Sequence, residues 1–137
     1  MPGEPAYLEV EDVLGLYADA VGCTEAQAAD LLRDRPGLEA ALARPATFAH
    51  YEHADLPTQA AVLAHGIGEG QFFIDGNKRA ALVSMRVFLL LNGCDVVGSQ
   101  ADRANWILAL AEGGLGAEVK IERLAGTLRN AIRQVAK

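Results

Sequence analysis

Apolar residues recur at intervals of three and four along most of the chain, which is the spacing of a helix with one buried face. The segments with this spacing are 10–22, 24–34, 38–44, 55–70, 99–113 and 118–137, besides the one discussed next. Thr24 with Gln27 forms a capping-box pattern, and Asp55 with Pro57 marks another helix start. No repeat or linker divides the sequence, so we predict one all-α domain over residues 1–137.

The segment 77–92 differs from the other predicted helices in how its apolar residues are distributed. After two cations it reads AALVSMRVFLLL, with apolar residues on nearly every side, and Asn92-Gly93 is a typical helix end. A helix that is apolar all round is buried all round. We therefore predict a helical bundle around a buried central helix at about 77–92.

Residues 45–54 interrupt this regularity. Pro45 is expected to end the preceding helix, and the segment PATFAHYEHAD shows no helical period. We predict a short extended flap here that contains Thr47, Phe48 and Tyr51.

The composition narrows the class of function. There are 12 Lys and Arg residues and 18 Asp and Glu residues, and the formal charge of −6 argues against nucleic-acid binding through bulk electrostatics. Cys23 and Cys94 have no CxxC spacing, so we expect neither a disulfide framework nor a zinc site. Apolar runs such as VFLLL are far too short to span a bilayer, and the acidic N-terminus is unlike a signal peptide. We expect a cytoplasmic protein.

The stretch QFFIDGNKR, residues 71–79, places polar chemistry directly before the predicted central helix. With Asp75 at or near the N-cap, the amides of Gly76, Asn77 and Lys78 lack intrahelical partners and point the same way. The positive end of the helix dipole lies behind them, which makes this an anion site suited to phosphate. An ordinary capped helix is the alternative, but two cations in a first turn oppose the dipole.

The side chains of the stretch fit the same chemistry. Asn77 can donate an amide N–H, Lys78 adds charge, and Arg79 can grip phosphate oxygens in a bidentate way. Asp75 beside a polyphosphate is a natural Mg²⁺ ligand. The loop would be anchored in the core by the apolar residues before it, Phe72, Phe73 and Ile74.

The stretch resembles the signature of the Fic/Doc (Fido) domain, His-x-Phe-x-Asp-Ala/Gly-Asn-Lys/Gly-Arg. The matching positions are Phe73, Asp75, Gly76, Asn77, Lys78 and Arg79. The segment 37–45 resembles the approach to the family's flap, and VFLLLNG resembles the end of its central helix. The short chain and Lys78 look most like the Doc branch, the toxins of toxin–antitoxin pairs.

The resemblance implies transfer of a phosphate-containing group from a nucleotide to a protein hydroxyl. In Doc-like toxins, phosphate passes from a nucleoside triphosphate such as ATP to a translation elongation factor; AMP transfer, common in the family, is the alternative. Lys78 in place of the glycine of many AMP-transferring members favours phosphate transfer.

The resemblance also assigns residues to roles. The implied nucleotide-binding residues are Phe73, Gly76, Asn77, Lys78 and Arg79, with Lys78 and Arg79 also catalytic. Asp75 would hold Mg²⁺. The flap residues Thr47, Phe48 and Tyr51 would dock the protein target by strand addition.

Gln71 occupies the position of the family's histidine, which acts as general base. Glutamine has no proton to exchange near neutral pH, and loss of a general base costs on the order of 10²–10⁴-fold in rate. Whether this chain is an active enzyme therefore stays open, and a catalytically dead nucleotide-binding module is an alternative. Gln71 can be an inactivating substitution, the mark of a natural pseudo-enzyme, or part of another chemistry.

No other histidine is expected to replace the missing base. We interpret His65 as a partly exposed helix residue, and His50 and His53 as surface residues of the flap. The family's inhibitory pattern, Ser/Thr-x-x-x-Glu-Gly/Asn, is absent, since His65 and Leu108 stand at the required spacing. The expected partners are therefore a protein substrate and a separate antitoxin chain, with no direct nucleic-acid or membrane binding.

Overall fold

The computed structural model of the protein describes residues 4–135 and is built almost entirely of helices. The elements, in chain order, are α1 (Val10–Val21), α2 (Glu25–Leu31), α3 (Arg35–Glu52), α4 (Leu56–Gly70), α5 (Asn77–Leu91), β1 (Cys94–Val96), α6 (Gln100–Ala109), α7 (Ala117–Ala131) and β2 (Ile132–Gln134). The predicted all-α class is confirmed. Among the described residues, no helix is both long enough and apolar enough to cross a membrane.

Local capping explains most of the helix starts. The predicted capping box of Thr24 and Gln27 begins α2, and Asp55 accepts the N–H of Thr58 at 3.0 Å to begin α4. Ser99 does the same for α6. Gly22 takes the left-handed conformation that ends α1.

The centre of the bundle is formed by α4 and α5 together. Every residue from Gln59 to Ile67 of α4 is buried, because α4 packs against α3, α5 and α7. The predicted helix at 77–92 is present as α5, and its buried residues lie on one face: Asn77, Ala80, Ala81, Ser84, Met85, Phe88 and Leu89. It is not buried on every side, since Leu90 and Leu91 near its end are 38% and 49% exposed.

The predicted extended flap at 45–54 is wrong over most of its length. Helix α3 continues through Pro45 to Glu52, and only residues 53–55 lie outside the neighbouring helices. Pro45 removes one backbone donor, but it is buried with Leu38, Ala41 and Leu42 at positions that continue the same helical face. The burial of this face outweighs the proline's preference for ending a helix.

The last predicted helix is too long at its end. Helix α7 stops at Ala131, and Ile132 pairs with Val96 in a two-stranded antiparallel sheet of β1 and β2. The N–H of Val97 extends this pairing by donating to the carbonyl of Ala131 at 2.7 Å. Pairing between segments so distant in the chain leaves no periodic signal in either one.

Candidate functional site

The stretch 71–79 forms the connection between α4 and α5 and the first turn of α5. Phe72 and Phe73 are buried as predicted, at 8% and 0% exposure. Ile74 does not anchor the loop, because its side chain is 60% exposed. Its backbone does: the N–H of Ile74 donates to the carbonyl of Leu31 at 2.9 Å.

The segment between α2 and α3 runs beside this loop. Leu32 and Phe73 form an antiparallel bridge, and the carbonyl of Phe72 accepts the N–H groups of Arg33 and Asp34 at 2.9 and 3.3 Å. The extended segment next to the candidate site is therefore 32–34, rather than the predicted one at 45–54. These backbone hydrogen bonds, of the kind that join neighbouring strands, fix the loop against the segment between α2 and α3.

The side chain of Asn77 fixes the backbone of the loop at Phe73. Its Oδ1 accepts the Phe73 N–H, and its Nδ2 donates to the Phe73 carbonyl, each at 3.0 Å. Asn77 is also only 7% exposed. The side-chain amide that was expected to point at a phosphate is thus engaged with the backbone, and the contribution available to an anion is the Asn77 main-chain N–H.

The N-cap of α5 lies one residue after Asp75, the residue expected at that position. Gly76 is the N-cap, with a left-handed φ of 77°, and Asp75 precedes it. Asp75 Oδ1 accepts the N–H of Gly76 at 2.8 Å, so this amide is already used. Among the described residues no side chain caps α5, and the amides left without helical partners belong to Asn77, Lys78 and Arg79.

The charged groups surround this helix start. Asp75, Lys78 and Arg79 are all exposed, in contrast to the buried Asn77 between them. Arg79 makes one long hydrogen bond, 3.5 Å, to the carbonyl of Ala20 at the end of α1. The two cations are therefore accessible to an anion from solvent, and the first-turn amides and the carboxylate of Asp75 lie beside them.

Gln71 lies at the junction of α4 with this site. It is the C-cap of α4, in the left-handed region at a φ of 55°. Its Oε1 accepts from Asn77 Nδ2 at 3.4 Å and its Nε2 donates to the Gly68 carbonyl at 3.3 Å, while Arg33 Nε donates to its carbonyl at 3.0 Å. The position expected for a general base is thus exposed and adjacent to the start of α5.

Tyr17 of α1 was not predicted as a site residue, yet it touches the loop directly. Its ring stacks on Phe73 with centroids 4.0 Å apart, and its hydroxyl donates to the carbonyl of Asp75 at 2.7 Å. Burial is the main cause that raises the pKa of Tyr17. In the sequence Tyr17 belongs to the apolar face of α1, which gives no sign of this contact.

The predicted docking residues do not join the site. Thr47, Phe48 and Tyr51 lie near the end of α3, which residues 53–55 join to the start of α4, and Phe48 lines the same cleft as Asp55 and Thr58. They are therefore near the beginning of α4, roughly 18 Å from Gln71 at the helical rise. Phe48 lines a cleft of about 630 Å³ at that end, with Asp55, Ile121 and Arg129 among its walls.

The histidines do not supply a base at this site either. His65 is 9% exposed, so it is buried rather than partly exposed, and burial is the main cause that lowers its pKa. It precedes Gln71 by six residues, about 9 Å along α4. His50 and His53 lie on the surface at the far end of α3.

Asp75 is the residue of this loop whose side chain could hold a divalent cation. Within residues 4–135, no three side chains of His, Cys, Asp or Glu are grouped so that they could hold a metal ion. Asp75 has one oxygen engaged by Gly76 and is exposed. Magnesium typically binds one or two carboxylates together with substrate phosphates and water, and this donor set suits that arrangement.

The fold and this loop define a helical protein with an uncapped, cation-flanked helix start at an interhelical loop. The family model described as the Fic/DOC family matches residues 7–89, which is more than half of the chain. The chain therefore belongs to the Fic/DOC family, whose members are in general protein-modifying transferases that act on protein targets. No curated protein matches the sequence.

Proposed function

We propose that this chain is a Doc-like toxin domain whose loop 71–79 binds the phosphates of ATP, with Mg²⁺ on Asp75. The reaction of this site is phosphate transfer to a hydroxyl of a protein target, a threonine of a translation elongation factor. The hydroxyl oxygen attacks the γ-phosphorus, the bond from that phosphorus to the bridging oxygen breaks, and ADP leaves. A separate antitoxin chain restrains the toxin.

The observation that carries this proposal is the start of α5. Three amides without helical partners emerge beside Lys78 and Arg79. Helix α7 also starts at a glycine, Gly116, but it has Glu118 in its first turn, whereas the first turn of α5 has no acidic residue and carries both cations. Two cations at the positive end of a helix are unfavourable unless an anion joins them. A polyphosphate satisfies the amides and neutralises both cations at once.

Bound magnesium would neutralise phosphate charge and orient the leaving group. The residues of the chain do the rest: Arg79 and Lys78 grip the phosphate oxygens, and the amides of the first turn stabilise the charge that develops on them. The attacking hydroxyl must also lose a proton. Gln71 stands where that proton should go and can only hydrogen-bond to the hydroxyl, so we expect binding with little transfer.

Gln71 also favours a second candidate function, a nucleotide-binding module without chemistry. The two are separated by restoring the base. Gln71→His should arrest bacterial growth on induction and label an elongation factor from γ-³²P-ATP, with a gain of about 10²–10⁴-fold over the unchanged chain. Gln71→Asn, which keeps an amide, is the matched control and should gain nothing.

The labelled atom decides between reactions. Label from α-³²P-ATP with none from γ-³²P-ATP would show AMP transfer with release of pyrophosphate. Gln71→His with Arg79→Ala should lose both label and growth arrest. If Gln71→His labels no protein from either nucleotide but calorimetry shows ATP binding, the binding module is correct; absence of binding at millimolar ATP and MgCl₂ contradicts both.

A further inference from the structure

We infer that Tyr17 is a positioning residue for the anion site: from α1, it sets the orientation of the Asp75–Gly76 peptide that leads into α5. The relevance of this role to nucleotide binding rests on the function proposed above. The geometry that carries it belongs to the protein without any ligand. Tyr17 is 2% exposed, and both its ring and its hydroxyl contact the turn at 73–76.

Both polar ends of this peptide unit are fixed. Its carbonyl, on Asp75, accepts the hydroxyl of Tyr17 at 2.7 Å, and its N–H, on Gly76, donates to Asp75 Oδ1 at 2.8 Å. Rotation of the peptide plane would break both bonds together. Because the Asp75 carboxylate is one of the two partners, the same bonds also set the direction of the candidate magnesium ligand.

The ring of Tyr17 fixes the turn sterically. It lies parallel to Phe73, with an angle of 4° between the planes, and it closes the space over Gly76. A Cβ at position 76 would lie 3.1 Å from Tyr17 Cε1. The turn is therefore restrained in two ways: the ring of Tyr17 packs against it, and the side chain of Asn77 bonds to Phe73.

This arrangement matters for an anion site because its donors must be aimed before the ligand arrives. Amides that are already oriented lose little entropy on binding, whereas a loose turn must first be ordered. Loss of the Tyr17 hydroxyl should free the Asp75 carbonyl and let the turn sample other conformations. The result would be weaker binding through the first-turn amides, without loss of the fold.

The test compares two tyrosines that each make one hydroxyl hydrogen bond. Tyr17→Phe removes the bond to the Asp75 carbonyl and keeps the stacked ring. Tyr7→Phe is the matched control, since Tyr7 donates to Gln59 Oε1 at 2.8 Å, away from the loop. Both variants should fold. Hydrogen exchange is measured on the Gly76 amide, which donates to Asp75 Oδ1, and calorimetry measures the affinity for ATP with MgCl₂.

We expect Tyr17→Phe to speed exchange at the Gly76 amide about fivefold relative to Tyr7→Phe, which is the factor for one net hydrogen bond. The affinity for ATP should fall by a similar factor in Tyr17→Phe alone. Equal exchange in the two variants, or faster exchange with unchanged ATP affinity, overturns the positioning role. If the unchanged chain binds no ATP, the proposed function fails, and the exchange comparison still decides whether Tyr17 orients the turn.

Discussion

Replacing Asn77 by alanine separates two roles of this residue, ligand donor and internal support of the loop. Its side chain bonds to both the N–H and the carbonyl of Phe73 at 3.0 Å, in a position that is 7% exposed. The variant therefore loses the two hydrogen bonds to Phe73, together with the longer bond to Gln71, and leaves two buried backbone groups without partners. A residue whose only task is to donate to phosphate would leave the ligand-free protein unchanged.

The cost can be estimated from these contacts. Each hydrogen bond contributes about 1 kcal/mol net, and each buried group left without a partner costs about 1–3 kcal/mol before relaxation or water entry. Allowing for partial relaxation, Asn77→Ala should lower the free energy of unfolding by roughly 3 kcal/mol. For a domain of this length this corresponds to a fall in Tm of roughly 10 °C.

Urea unfolding and calorimetric melting of the ligand-free protein measure this effect. Asn92→Ala is the control, because Asn92 at the other end of α5 also bonds to backbone, through Ala6 and Phe88. It should lower stability without loosening the loop, whereas Asn77→Ala should speed hydrogen exchange at Phe73. A Tm for Asn77→Ala within about 2 °C of the unchanged protein would refute the support role.

Two further substitutions test neighbouring steps of the reasoning. Gly76→Ala should lower the free energy of unfolding, measured in urea, by about 1 kcal/mol more than Gly22→Ala does. Both glycines have a φ of 77°, but only a Cβ at position 76 meets Tyr17. Equal losses of stability would contradict the contact. The bond from Arg129 lowers the pKa of Asp55 to about 2 from 3.8, so its stabilisation is present above pH 3.8 and is lost as pH falls towards 2. Asp55→Asn should accordingly cost roughly 1 kcal/mol at pH 7, a value reduced for the exposure of this pair, and the cost should shrink across that window; a cost independent of pH would exclude the ion pair as its source.

The elements that could be predicted from sequence are those whose signals are local. Thr24, Asp55 and Ser99 cap helices through bonds to residues three positions on, so their patterns are complete within one turn. Pro45 is the counterexample, because a local signal for a helix end is outweighed by burial of its ring in α3. The strand pairing of residues 132–134 depends on residues 94–96 and carries no local signal.

The same distinction applies to the site. Lys78 and Arg79 could be placed beside the helix start because the sequence brings them there in consecutive positions. Tyr17 could not, since its bond to Asp75 spans 58 residues, and neither could Arg33, whose bond to Gln71 spans 38. Contiguous motifs therefore predict which groups face the ligand, whereas the residues that hold them in place emerge only from the tertiary structure.

Gln71 and the loop that follows it differ in how firmly they are held. The turn is fixed by buried contacts of Tyr17 and Asn77 at 2.7–3.0 Å, while the side chain of Gln71 is exposed and makes contacts of 3.3 and 3.4 Å. A change at position 71 should thus alter the chemistry available there and leave the start of α5 intact. Histidine tolerates the left-handed backbone that Gln71 adopts better than most residues do. Binding and transfer are therefore separable in this chain, and restoring a base at position 71 tests transfer without disturbing the groups proposed to bind phosphate.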